Sequence, residues 1–173
     1  MIARTIDELA GLYDAYGNEH YDEAISQMAH AEQTAALAVR DRASNAVVVA
    51  ALLHDVGHLL YLAHGDSGPH ERTGVEYLRG LFDDAVLAPI EAHVAAKRCL
   101  CAIDDTYYEG LSAGSKRSLH RQGGPMDRDD AERFAAADPE ALRLRRWDDL
   151  GKVDELTVRP FADYLPLLAS LAR

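Results

Sequence analysis

The sequence predicts an all-α protein folded as a single domain over residues 1–173. Three observations point there. Apolar residues recur at three- and four-residue spacings along much of the chain, the period of an amphipathic helix. The most apolar run, Ala46 to Leu53, is longer than an ordinary buried strand and apolar on every side, as a helix through the middle of a domain is. A length of 173 residues suits one hydrophobic core, with no repeat, low-complexity tract or boundary to divide it.

The elements follow in order. Ile6, Leu9, Leu12 and Tyr13 mark a short first helix, ended by a turn around Gly17-Asn18. A longer helix, rich in Ala and Gln, is predicted from about Asp22 to Arg42. Ser44-Asn45 caps the third, the apolar run itself. Residues 63–69 read as a polar, glycine-containing loop, followed by a fourth helix from about His70 to Leu81. Asp83-Asp84 opens a fifth, running to about Cys101. From Ser112 to Asp130 the chain is polar and punctuated by glycines, and reads as a structured loop carrying a short helix. Glu132 to Ala137, Pro139 to Trp147 and Phe161 to Leu171 are further helical pieces.

Composition narrows the function. Hydrophobic residues make up 48% and charged residues 27%, which excludes a disordered chain. A formal net charge of -11 argues against a nucleic-acid partner, because phosphate affinity rests on clustered Lys and Arg. A small anion remains possible, since a few basic side chains in a pocket outweigh the global charge locally. Cys99 and Cys101 point in different directions on a helix and are expected to be reduced thiols. No charged leader with an apolar run opens the chain, and no apolar run approaches the about 20 residues of a membrane span, so a cytoplasmic location is expected.

The chemistry gathers on histidines and aspartates. His54-Asp55 ends the most buried helix, where a charged carboxylate costs several kcal/mol unless compensated, and a metal ion compensates both residues at once. The two oxygens of Asp55 could also bridge to a second ion. His30 lies midway along the second helix among alanines, His70 starts the fourth, His93 sits in the fifth, and Asp148 follows Trp147 near the end of a late helix. A mixed imidazole and carboxylate set leans toward iron or manganese. His20, His64 and His120 are expected to be ordinary surface or loop residues.

The spaced set His30, His54-Asp55, Asp148, with the local run Leu52-Leu53-His54-Asp55-Val56-Gly57-His58, resembles the HD-domain superfamily. His70 and His93 match the extra ligands of its dinuclear members. Glu76-Tyr77-Leu78-Arg79-Gly80-Leu81, Glu91-Ala92-His93-Val94-Ala95-Ala96-Lys97-Arg98 and Gln122-Gly123-Gly124-Pro125-Met126 closely resemble the diiron oxygenases of the PhnZ and TmpB group, which cleave the C–P bond of organophosphonates. The resemblance runs from about Tyr21 to Asp148.

The resemblance implies a mixed-valent Fe(II)/Fe(III) pair with O2 as co-substrate. His30, His54, Asp55 and Asp148 would hold one iron, and Asp55, His70 and His93 the other, with Asp55 bridging. Lys97, one helical turn after His93, together with Ser115, Ser118 and Gln122, would take the phosphonate. Glu23 matches a glutamate that faces a substrate amino group. The tyrosine near the metal falls on His20, with Tyr21 one residue away as its replacement. His58 resembles a histidine beside the O2 site. The implied reaction releases phosphate from a 1-hydroxy-2-(amino or trimethylamino)ethylphosphonate and yields glycine or glycine betaine. Tyr21, Tyr107 and Tyr108 are candidate walls for a methylated nitrogen. The rival reading is an HD-type phosphohydrolase acting on a phosphate ester or nucleotide. Oligomeric state is not legible.

Overall fold

The computed structural model describes residues 2–20, 25–65 and 68–173. Among them the regular structure is all helical. The elements are α1 (Ile6–Tyr16), α2 (Gln27–Arg40), α3 (Asn45–Leu53), α4 (Val56–His64), α5 (His70–Leu78), α6 (Asp84–Ile103), α7 (Tyr107–Gly110), α8 (Ala113–Arg121), α9 (Arg128–Ala137) and α10 (Pro139–Leu150). A 3-10 turn (Phe161–Tyr164) leads into α11 (Leu165–Leu171).

The core forms around α3. Every residue from Val47 to Leu53 is buried, so α3 has no polar face and must be wrapped on all sides. The surrounding helices are α2, α6, α10 and α11. Tyr13 of α1 stacks on Phe161 with ring centroids 4.4 Å apart. Its hydroxyl donates to the Leu52 carbonyl at 3.1 Å. Trp147 of α10 is buried and donates from Nε1 to Asp41 at 2.8 Å, tying α10 to the end of α2.

Several helix ends match their caps. Ser44 accepts from Val47 N, and Asp83 from Ala85 N. Others differ from the sequence expectation for local reasons. Helix α2 starts at Gln27 because Ser26 caps it, accepting from Ala29 N, and not near Asp22. The short helix expected within the segment from Ser112 is α8, with Ser112 accepting from Ser115 N. Helix α5 stops at Leu78, three residues short of Leu81.

The apolar run also extends further than expected. Taken together, Asn45–His64 has a mean hydropathy of 1.7 over its apolar window and is by length and composition long enough to cross a membrane. Yet 67% of that window is buried inside the protein, as befits a core segment. The run is broken at His54-Asp55, where Asp55 adopts φ -101° and ψ 13° between α3 and α4.

Candidate functional site

That break sets the site. Asp55 leaves the helical path at the bottom of the core, and its two oxygens face different histidines. Oδ2 lies 3.5 Å from Nε2 of both His30 and His54. Oδ1 lies 3.4 Å from His70 Nε2, 3.7 Å from His93 Nε2 and 3.8 Å from His58 Nε2. Two groups of possible ligands result, His30 with His54 and Asp55, and His70 with His93 and Asp55. Asp148 of α10 joins the first group, with Oδ1 3.3 Å from His30 Nε2 and Oδ2 3.7 Å from His54 Nε2.

The backbone aims three of these rings. Nδ1 of His30 bonds the Gly151 carbonyl at 2.8 Å, Nδ1 of His54 the Ala51 carbonyl at 2.9 Å, and Nδ1 of His93 the Ile90 carbonyl at 2.6 Å. A carbonyl can only accept, so each Nδ1 carries the proton and each Nε2 presents its lone pair inward. This is the arrangement in which imidazole binds metals. Nε2 of His30 and of His54 are buried without a hydrogen-bond partner, a cost that a cation would remove.

Close backbone approach places two of the groups. A Cβ on Gly57 would stand 2.0 Å from the His70 carbonyl oxygen, so only glycine lets the first turn of α5 sit on α4 and bring His70 to Asp55. A Cβ on Gly151 would meet Thr34 Oγ1 at 2.6 Å, so that turn too is pressed against α2.

The electrostatics suit a metal. Burial lowers the imidazolium of His54, of His93 and of His58, the last to about 3, keeping them as neutral ligands or bases. Burial also opposes charge on His30, but the carboxylates of Asp148 and Asp55 beside it prevail and raise it to about 9. Positive charge is therefore favoured where these carboxylates converge. Burial disfavours the Asp55 carboxylate, yet the surrounding histidines hold it well below the usual range. The donor set of imidazoles and carboxylates fits iron or manganese.

The metal groups open into a pocket of about 760 Å³. On its far side Lys97, 2% exposed, donates to Ser118 Oγ at 2.6 Å. Burial, and then the Arg145 charge, lower the Lys97 ammonium to about 8. The Ser118 hydroxyl donates onward to the Ser115 carbonyl at 3.0 Å, which commits its proton to the loop. Gln122 lines this pocket, and its side-chain carbonyl oxygen is buried without a partner.

Two cations went unread in the sequence. Arg145 is buried and binds Asp148 through Nη1 at 2.5 Å, Asp149 and Tyr107 through Nε at 3.1 Å, and Ser115 Oγ through Nη2 at 3.2 Å. Lys152 reaches Asp148 Oδ1 at 3.4 Å and Ser115 Oγ at 3.3 Å. The signal for Arg145 was its spacing of three and four residues before Asp148 and Asp149 on one helix.

Other expectations fare differently. Tyr21 and Glu23 lie outside the described residues. His20, His64 and His120 are exposed, as expected. His58 stands on α4, beyond the break after His54, and stacks on His70 with centroids 4.2 Å apart. Tyr107 is engaged by Arg145 and Asp149, and Tyr108 lies under Lys116. Both lie away from the pocket lining, whereas Tyr61 is part of it.

Residues 25–150 match the HD domain family. The chain is 38% identical over 169 residues to the hydroxymethylphosphonate dioxygenase of Gimesia maris, covering 92% of this chain and 84% of that protein. It is 30% identical over 172 residues to the glycine-betaine-forming [1-hydroxy-2-(trimethylamino)ethyl]phosphonate dioxygenase of Leisingera caerulea, covering 94% and 88%. A third relative, the uncharacterized protein L432 of Acanthamoeba polyphaga mimivirus, is 31% identical over 180 residues. With its helical fold and its buried histidine and aspartate set, the chain belongs to the HD-domain family, in the group that contains these phosphonate dioxygenases.

Proposed function

We propose that this chain is an O2-dependent dioxygenase that cleaves the C–P bond of a 1-hydroxyphosphonate, using a mixed-valent pair of irons. The observation that carries the reading is Asp55, whose two oxygens face two histidine groups beside a pocket walled by Lys97 and Ser115. His30, His54 and Asp148 would hold one iron with Asp55, and His70 and His93 the other. When bound, the iron pair supplies the redox chemistry by which O2 oxidises the carbon bearing the hydroxyl and the phosphonate. In balance, R–CH(OH)–PO3H2 and one O2 give R–COOH and H3PO4.

The chain's own residues bind and orient. Lys97 offers a buried positive charge to the phosphonate, and the hydroxyl of Ser115 donates a hydrogen bond to it. Ser118 sets the direction of the Lys97 ammonium through their 2.6 Å hydrogen bond. Gln122 offers a carbonyl to a substrate donor. His58, kept neutral by burial, stacks on His70 and turns Nε2 toward Asp55. Tyr21 and Glu23 are proposed to complete the site at the metal and at a cationic nitrogen.

The substrate is a 1-hydroxyphosphonate with a free amino, a trimethylamino or no nitrogen substituent, giving glycine, glycine betaine or formate beside phosphate. The test is anaerobic loading with iron, then addition of each phosphonate with and without O2. The expected result is phosphate release that requires O2, one O2 per phosphate. Phosphate release from phosphonate without O2 refutes the proposal, and hydrolysis of nucleotides with manganese, with no activity on phosphonates, points to a phosphohydrolase.

A further inference from the structure

Of the four imidazoles offered as metal ligands, three hand their outward nitrogen to a backbone carbonyl. They are His30 on Gly151, His54 on Ala51 and His93 on Ile90. His70 differs. Its Nδ1 faces the side chain of its neighbour Glu71, with Oε2 3.4 Å away. A carbonyl is a dipole and a carboxylate is a full charge, so this one ring has an anion behind it.

The local fold keeps Glu71 in that place. Helix α5 begins at His70, and its first turn is pressed onto α4, with the His70 carbonyl against Gly57. One turn on, Gly74 lies close to Val56 and Gly57 and keeps the two helices together. His58 stacks on the His70 ring with the planes 14° apart, which limits its rotation away from the carboxylate. A glutamate in the first turn of a helix is favoured by the helix dipole alone, and such a side chain ordinarily extends into water. That of Glu71 is only 14% exposed, and the residue lines the pocket beside the metal groups. The helix end accounts for an acid at this position, but not for its burial against His70.

The effect falls on Nε2. An ion held by His70, His93 and Asp55 takes the Nε2 lone pair of His70, which leaves the ring proton on Nδ1, opposite Glu71. Negative charge at that end fixes the tautomer and turns electron density toward the metal.

We propose that Glu71 is a positioning residue for the His70 metal position, whose carboxylate orients the His70 ring and strengthens its hold on the ion, the ferric form above all. The inference rests on the reading of this position as one of two iron sites.

The experiment uses the iron-loaded protein under nitrogen and compares Glu71→Gln and Glu71→Asp with the unaltered chain. Each is titrated with a ferrous chelator, and the iron retained per chain is counted. A redox titration follows the mixed-valent signal by electron paramagnetic resonance. Glu71→Gln keeps the size and a hydrogen-bond acceptor and loses the charge. One of its two irons is expected to be held about ten- to a hundredfold more weakly, with the other unchanged. The midpoint potential should rise by about 59 mV for each tenfold of ferric preference lost. Glu71→Asp keeps the charge on a shorter arm and should recover part of both. Retention of both irons within twofold of the unaltered chain, with an unmoved potential, overturns the proposal. So does a loss shared equally by the two irons, since Glu71 would then serve the fold and not one position. If the unaltered chain holds one iron in this Glu71-dependent way but releases no phosphate from phosphonates with O2, the inference stands and the dioxygenase reading fails.

Discussion

His70 Nε2 and His93 Nε2 stand 3.0 Å apart, brought together by helices α5 and α6, and both face Oδ1 of Asp55. Nδ1 of His93 holds its proton on the Ile90 carbonyl, so its Nε2 presents a lone pair to the partner ring. Two such nitrogens converging on a carboxylate oxygen make a cation site. Removing either ring should then empty one position and spare the other. Iron content measured on purified His70→Ala or His93→Ala is expected to fall from about two to about one per chain, and on Asp55→Ala to near zero. Two irons retained in Asp55→Ala would show that this carboxylate is not shared.

Lys97 gives the expected pH dependence. Burial and Arg145 hold its ammonium at about 8, below the free lysine value, so the charged form fades as pH rises through 8. Phosphonate capture needs that charge, so kcat/KM should fall above pH 8 by about tenfold per unit, while staying flat just below. Lys97→Arg keeps its charge at any of these pH values and should remove this limb from the profile. A limb that persists unmoved in Lys97→Arg assigns the titration to another group.

Gly57 is the hinge on which His70 sits. In Gly57→Ala the new methyl group meets the His70 carbonyl at 2.0 Å, and the α4–α5 crossing must open. The expected outcome is loss of the iron held with His70 and His93, with the His30 and His54 position still loaded. Thermal unfolding should shift down by several degrees, corresponding to about 1–3 kcal/mol of overpacking. Full loading with an unchanged transition would contradict the close approach.

Arg145 carries a stability prediction. It is buried between Asp148, Asp149, Tyr107 and Ser115, and its removal strands two carboxylates. Arg145→Met is expected to cost about 3–5 kcal/mol in urea unfolding, and Arg145→Lys to recover little, because one ammonium cannot serve four partners in the plane of a guanidinium.

Much of this was legible in the sequence. The apolar run of α3 and the caps at Ser44 and Asp83 are local signals, and local hydrogen bonds decided those ends. The six histidine and aspartate positions also stood out, because a buried His-Asp pair is expensive without a purpose. What escaped was set by tertiary contact. The helix end at His54-Asp55 was read, but α4 (Val56–His64) beyond it was not. Arg145 was hidden in the charged run Arg143-Leu144-Arg145-Arg146, and only packing selects which arginine turns inward. Lys152 lies beyond the end of α10, where periodicity carries no information. The expected start of α2 ran too early because Ser26 caps it and the helix begins at Gln27.

The contrast between an anionic body and a cationic pocket has a consequence for which molecules are admitted. The chain carries a net charge of -11, while Lys97, Arg145 and Lys152 gather at the bottom of one cavity. Beyond about 10 Å at ordinary salt, an approaching anion senses little of that interior and mostly the repelling exterior. A long polyanion cannot reach the lysines without laying its remaining charges along the acidic surface. A two-carbon dianion fits wholly inside. Such a charge distribution would favour small anions over long ones, and added salt should then quicken entry even as it loosens the grip within.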